Sequence, residues 1–178
     1  MDQPVLAPPW RISEWLNTTK ALDLEAQRGH VVVACAFQML CPGCVSHAIP
    51  QLKAVYELFA PLGAVVVGLH TVFEHHEAMT TTALRAFLHE YRVRCPVGID
   101  APAEDGTPIP QTMAAYRMEG TPTFLLIDRS GHLHRQIIGG NPPCGKPCIQ
   151  VKRLAAYGRA VGGDRLYGED LNIVRDHD

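Results

Sequence analysis

Two pairs of closely spaced cysteines are the side chains of this 178-residue chain best suited to chemistry: Cys41-Pro42-Gly43-Cys44 and Cys144-Gly145-Lys146-Pro147-Cys148. A Cys-x2-Cys pair serves either sulfur exchange or metal ligation. Exchange needs a thiolate, and an ordinary cysteine, with a pKa of about 8.5, is mostly protonated at neutral pH. Activation must therefore come from position. A sulfur at the start of a helix faces unpaired backbone N–H groups and the positive end of the helix dipole, which lowers such a pKa to roughly 3.5–7.5. Residues 45–59 carry Val45, Ala48, Ile49, Leu52, Val55, Tyr56 and Phe59 at helical spacing, one apolar face. Cys41 is thus expected as the nucleophile at the helix mouth, and Cys44, one turn on and less exposed, as the resolving thiol.

The elements that must hold this pair can be read around it. Residues 31–37, Val-Val-Val-Ala-Cys-Ala-Phe, form a β-branched apolar run, the pattern of a strand buried on both faces. Residues 64–69 form a second such strand, and strand, helix, strand in succession predicts a right-handed parallel crossover. Pro50 predicts a kink inside the intervening helix. Residues 80–91 and 111–117 read as helices and residues 96–99 as a strand end. Residues 123–127 form a third strong strand, joined through Asp128-Arg129-Ser130-Gly131 to residues 132–138 as a hairpin. Residues 149–161 resume a helical pattern. Residues 1–14 are expected as an N-terminal extension, with residues 10–16 a strand or short helix, 15–161 as one domain and 162–178 as a polar tail.

Composition narrows the function. Apolar residues make up 47% and charged residues 19% of the chain, enough to build a core rather than a disordered chain. The net charge of −2 and the lack of a basic run remove the argument for nucleic acid or an anionic membrane as partner. No basic region leads into an apolar stretch at the N-terminus, and no apolar run is long enough to span a bilayer. A cytoplasmic location is expected, or a periplasmic one if a leader preceded this sequence. Six cysteines are too few for a disulfide-built scaffold in a chain this long.

The order strand, Cys-x2-Cys, kinked helix, strand, helix, Gly120-Thr121-Pro122-Thr123 strand, hairpin, helix resembles the thioredoxin superfamily, most closely its TlpA-like and redoxin branch, over roughly residues 15–160. The resemblance implies an α/β thioredoxin fold, a central mixed sheet with helices on both faces. It implies a thiol–disulfide oxidoreductase acting on protein or small-molecule thiols and disulfides, served by an electron-donor reductase and using no cofactor and no metal. It also implies that Thr121-Pro122 is a cis bond in a loop facing the cysteine pair, where the substrate docks.

Several positions depart from that family. Leu40 stands where tryptophan is usual, and Cys35 where thioredoxin has a buried aspartate. The helix proline normally lies five residues after the second cysteine, but here Ile49 holds that place and Pro50 follows, so either the kink is shifted or the helix holds an extra residue. Peroxiredoxins carry threonine three positions ahead of their reactive cysteine, where this chain has Gln38. With the usual acid missing, Glu74 or His70 is expected as a proton shuttle, with His47 a weaker choice. His70, Glu74, His75, His76 and Glu77 match no metal template, least of all His-Glu-x-x-His. Cys144 and Cys148 stand open as a second redox pair, a stapling disulfide or two ligands of a four-cysteine site. Peroxide reduction by Cys41 and metal binding by cysteine ligands remain the competing functions.

Overall fold

The chain's structure is a computed structural model that describes residues 5–139. Its strands, in chain order, are Val5–Leu6 (β1), Ile12–Leu16 (β2), Val32–Phe37 (β3), Val65–His70 (β4), Val97–Asp100 (β5), Thr123–Ile127 (β6) and His132–Ile138 (β7). They form one sheet in the order β1-β7-β6-β3-β4-β5-β2. β3 pairs parallel with β4, and β4 parallel with β5, while the other neighbours are antiparallel. The sheet is mixed, as the resemblance implies.

β3 sits at the centre because its side chains can be dry on both sides. All six of its residues are buried. Val33, Cys35 and Phe37 enter one core and Val32, Ala34 and Ala36 the other, the period-2 alternation of a pleated strand. The helices Ile49–Phe59 (α1) and Thr81–Glu90 (α2) contribute Leu52, Val55, Leu84 and Leu88 to the first core. The short helix Gln111–Ala115 (α3) contributes Met113 to the second. Helices therefore cover both faces. Gly68 lets β4 lie against α1, since a Cβ there would come within 3.0 Å of Phe37 Cε1 and 3.4 Å of Leu52 Cδ2.

Local chemistry sets the ends. Thr80 caps α2, its hydroxyl accepting from the Ala83 N–H at 3.3 Å. Gly63, at φ +84°, turns the chain from α1 towards β4 in a conformation open to glycine. Asp100, at the end of β5, accepts from the Thr112 and Met113 N–H groups at 2.7 and 3.0 Å and so anchors α3. Asp128 ties the β6–β7 turn through the His132 N–H at 2.9 Å.

Of the strand or short helix expected at residues 10–16 the structure has the strand, β2, which closes one edge of the sheet against β5; within the expected N-terminal extension, β1 closes the other edge against β7. Glu25–Gln27 forms a single 3-10 turn. Pro50 does not kink a regular helix, because Cys44–Ala48 forms a π-turn directly before α1. An i→i+5 turn absorbs one extra residue, which explains why the proline falls one place later than in the family. The expected helix at 149–161, the tail at 162–178 and the Cys144/Cys148 pair lie outside the described residues. Among the described residues no helix is long and apolar enough to cross a membrane.

Candidate active site

β3 delivers the cysteine pair to the carboxyl edge of the sheet, the edge where crevices open in α/β folds. Helical structure begins at Pro42, a residue suited to a first turn because no N–H is needed there. Cys41 therefore stands just outside the helix. Its Sγ accepts the Cys44 N–H at 3.2 Å, and its carbonyl accepts the Val45 N–H at 3.1 Å. The sulfur thus occupies the place of an N-cap oxygen, meeting an otherwise unpaired backbone donor. Cys41 is partly buried, whereas Cys44 has no exposed surface.

The second sulfur is held as a thiol. Burial pushes the Cys44 pKa up to about 12, and the adjacent Cys41 sulfur adds to the rise; hydrogen bonding to the Gln38 backbone and the Thr121 side chain offsets part of it. Beneath it Cys35, fully buried, stands in place of the family's acid, its own pKa raised by burial first and then by Cys44, Cys95 and Cys41. Cys95 is likewise buried, with burial raising its pKa to about 12.

The loop at residues 120–123 faces the pair. Thr121-Pro122 is cis, and the Thr121 carbonyl accepts from Cys41 Sγ at 3.5 Å. Pro122 lies against the residues between the cysteines, its Cδ 3.6 Å from where a Cβ on Gly43 would sit. Thr123 Oγ1 donates to the Gly120 carbonyl at 2.6 Å, tightening the loop. The exposed side chains of Leu40, next to Cys41, and Ile138, near Gly120, flank this region.

The remaining candidates divide. Glu74 reaches the site through Gln38, whose Nε2 donates to its Oε1 at 3.5 Å. His70 is 1% exposed, packed with Phe37 at a ring separation of 5.5 Å, and burial pulls its pKa down to about 4. Its Nε2 has no hydrogen-bond partner among the described residues. His47 is exposed and engaged with Ser46 Oγ at 2.7 Å. Among the described residues no group of three or more His, Cys, Asp or Glu is arranged to hold a metal ion.

Gln38 is the residue that sequence reasoning underrated. Read from the sequence, it is a replacement for a peroxidase threonine; in the fold it is 1% exposed and bonded to Thr121, Glu74 and Phe73. The available signal was a polar side chain directly after a run of buried residues.

The sequence pattern of the redoxin family matches residues 7–152. The chain belongs to the redoxin family. Two proteins of known structure resemble it over nearly their whole length. A thioredoxin-like superfamily protein, SPOA0173, is 46% identical, with a TM-score of 0.79, over 87% of this chain and 97% of its own. A thiol-disulfide isomerase from Corynebacterium glutamicum is 40% identical, with a TM-score of 0.74, over 84% of this chain and 95% of its own. Protein DipZ of Mycobacterium bovis is 37% identical over 62 residues, 34% of this chain but 9% of DipZ. The fold is thioredoxin-like, and the chain is an oxidoreductase of the thioredoxin-like thiol–disulfide class.

Proposed function

We propose that this redoxin exchanges the Cys41–Cys44 pair, as dithiol or disulfide, with the disulfides or thiols of protein or small-molecule substrates. The observation that carries this reading is the asymmetry of the two sulfurs. Cys41 is partly exposed and accepts a backbone N–H at the head of a helix, while Cys44 is buried and held protonated.

The asymmetry orders the steps. The Cys41 thiolate attacks one sulfur of a substrate disulfide; a Cys41–substrate S–S bond forms, the substrate S–S bond breaks, and the first substrate sulfur leaves as a thiolate. Part of what keeps Cys44 protonated is the charge on the neighbouring Cys41 sulfur. Capture of substrate removes that charge, so the Cys44 thiol becomes more acidic only once there is a mixed disulfide to resolve. Cys44 then gives its proton to the departing thiolate and attacks Cys41 Sγ. The second substrate sulfur leaves, two electrons have passed to the substrate, and the protein holds a Cys41–Cys44 disulfide. A donor reductase returns it to the dithiol. Leu40, next to Cys41, and Ile138, near Gly120, offer the substrate chain exposed apolar contact.

Gln38 supports exchange over peroxide reduction. Its amide hydrogens are engaged with Thr121 and Glu74, which leaves no donor there to orient a peroxide. The test combines turnover with trapping. Wild-type protein should accelerate insulin-disulfide reduction by dithiothreitol, Cys41→Ser should fall to the uncatalysed rate, and Cys44→Ser should accumulate mixed disulfides that dithiothreitol releases. Wild-type protein that leaves insulin reduction unaccelerated, or a Cys44→Ser variant that traps nothing, would overturn the reading.

A further inference from the structure

We infer that Gln38 is a positioning residue for disulfide exchange: its side chain ties the loop after β4 and the loop at residues 120–123 to the segment that ends in Cys41. The inference rests on the exchange reading and names the device that sets its geometry.

The sheet alone does not hold these loops. The β3–β6 ladder ends at Ala36 and Thr123, and the β3–β4 ladder at Phe37 and His70. One more bond, from the Thr71 N–H to the Phe37 carbonyl at 3.0 Å, extends the second pairing. Beyond these points the three segments diverge, and Gln38 is the residue set between them. Its Oε1 accepts the Phe73 N–H at 3.3 Å, and its Nε2 donates to Thr121 Oγ1 at 3.3 Å and Glu74 Oε1 at 3.5 Å. Its backbone carbonyl accepts the Cys41 N–H at 3.4 Å. One residue thus touches both loops and the nucleophile's own backbone.

The chemistry of the side chain matters as much as its place. A carboxamide offers an acceptor and two donors on one rigid plane, and these bonds use all three. Because Gln38 is 1% exposed, water cannot readily replace a lost partner, and an unpaired buried group is costly. What depends on the arrangement is Thr121, whose carbonyl stands 3.5 Å from Cys41 Sγ on the loop that faces an incoming substrate. Methionine at this position would keep the volume and lose every side-chain bond. Glutamate would keep the acceptor for the Phe73 N–H but lose the donor to Thr121 Oγ1, holding that hydroxyl only if it turns to donate, and would set a second carboxylate against Glu74.

The test measures kcat/KM for insulin disulfides together with the rate of Cys41 alkylation by iodoacetamide, in variants whose melting shows them folded at the assay temperature. Gln38→Met should lose about tenfold or more in kcat/KM, as misplaced reacting groups do. Its alkylation rate should stay within about twofold of wild type, because the helix start and the Cys44 N–H are untouched. Gln38→Glu should also lose activity at pH 7, and adding Glu74→Gln should restore most of it by returning an amide–carboxylate pair with the roles exchanged. Full kcat/KM in folded Gln38→Met, an equal fall in alkylation, or a double variant no better than Gln38→Glu would each overturn the inference. A wild-type protein inert towards insulin would instead strike the exchange reading itself.

Discussion

On one face of the sheet Val33, Cys35 and Phe37 of β3 share a core with Leu52 of α1 and Leu84 of α2. On the other, Val32, Ala34 and Ala36 share one with Trp10, Met113 and Tyr116. All four described cysteines belong to the first side, three inside its core and Cys41 packed against it; none belongs to the second. Both faces are dry, so burial alone does not make the difference. What differs is that the first face ends at the helix mouth, where one sulfur emerges from a core in which the others are kept neutral by burial. The second face supplies cohesion without chemistry, and substitutions there should separate stability from reactivity.

The largest separation is expected at Met113, 3% exposed in the second core. Met113→Ala should destabilise the fold by about 2–5 kcal/mol, as large-to-small core changes do. Cys41 alkylation in the fraction that remains folded should be unchanged. Urea unfolding and alkylation on the same samples would show it, and a slowed alkylation would break the division between the faces.

A smaller effect probes the first face through pH. His70 is held neutral, with burial lowering its pKa to about 4, whereas in the unfolded chain it titrates near 6.5. Below that value the unfolded state binds the extra proton, so this stability is fully present above about pH 6.5 and is lost as pH falls towards 4. Between pH 7 and 5 the loss should be about 2 kcal/mol. His70→Phe should flatten this part of the pH dependence, and an unchanged slope would remove His70 from the account. The smallest effect returns to the second face, where Tyr116 Oη donates to the Pro8 carbonyl at 2.7 Å. Tyr116→Phe should cost about 1 kcal/mol in urea melts, with alkylation again unaffected.

Much of this architecture is legible in the sequence. The apolar run of β3 and the Cys-x2-Cys pair are local signals that place the sheet's centre and the nucleophile, whereas the Gly-Thr-Pro-Thr segment is set opposite them only through the resemblance to the thioredoxin superfamily. The π-turn leaves a trace as well, in a proline one residue late, but a displaced proline is equally consistent with a moved kink. The missed features depend on distant partners. Val5–Leu6 becomes a strand only because Leu133 and His132 stand beside it. Gln38 becomes a hub only when Phe73, Glu74 and Thr121 converge on it. His70 is expected just after a strand as a proton-shuttle candidate, and its burial against Phe37 and the surrounding core shows only in the fold.

The outermost strand has a consequence for how the chain matures. Val5 is synthesised long before Leu133, its partner across the sheet. At ribosomal speeds of roughly 5–20 residues per second, that delay is on the order of ten seconds. Through this interval the two apolar residues of β1 lack the strand they pair with, so this edge of the sheet can close only once the last hairpin has emerged.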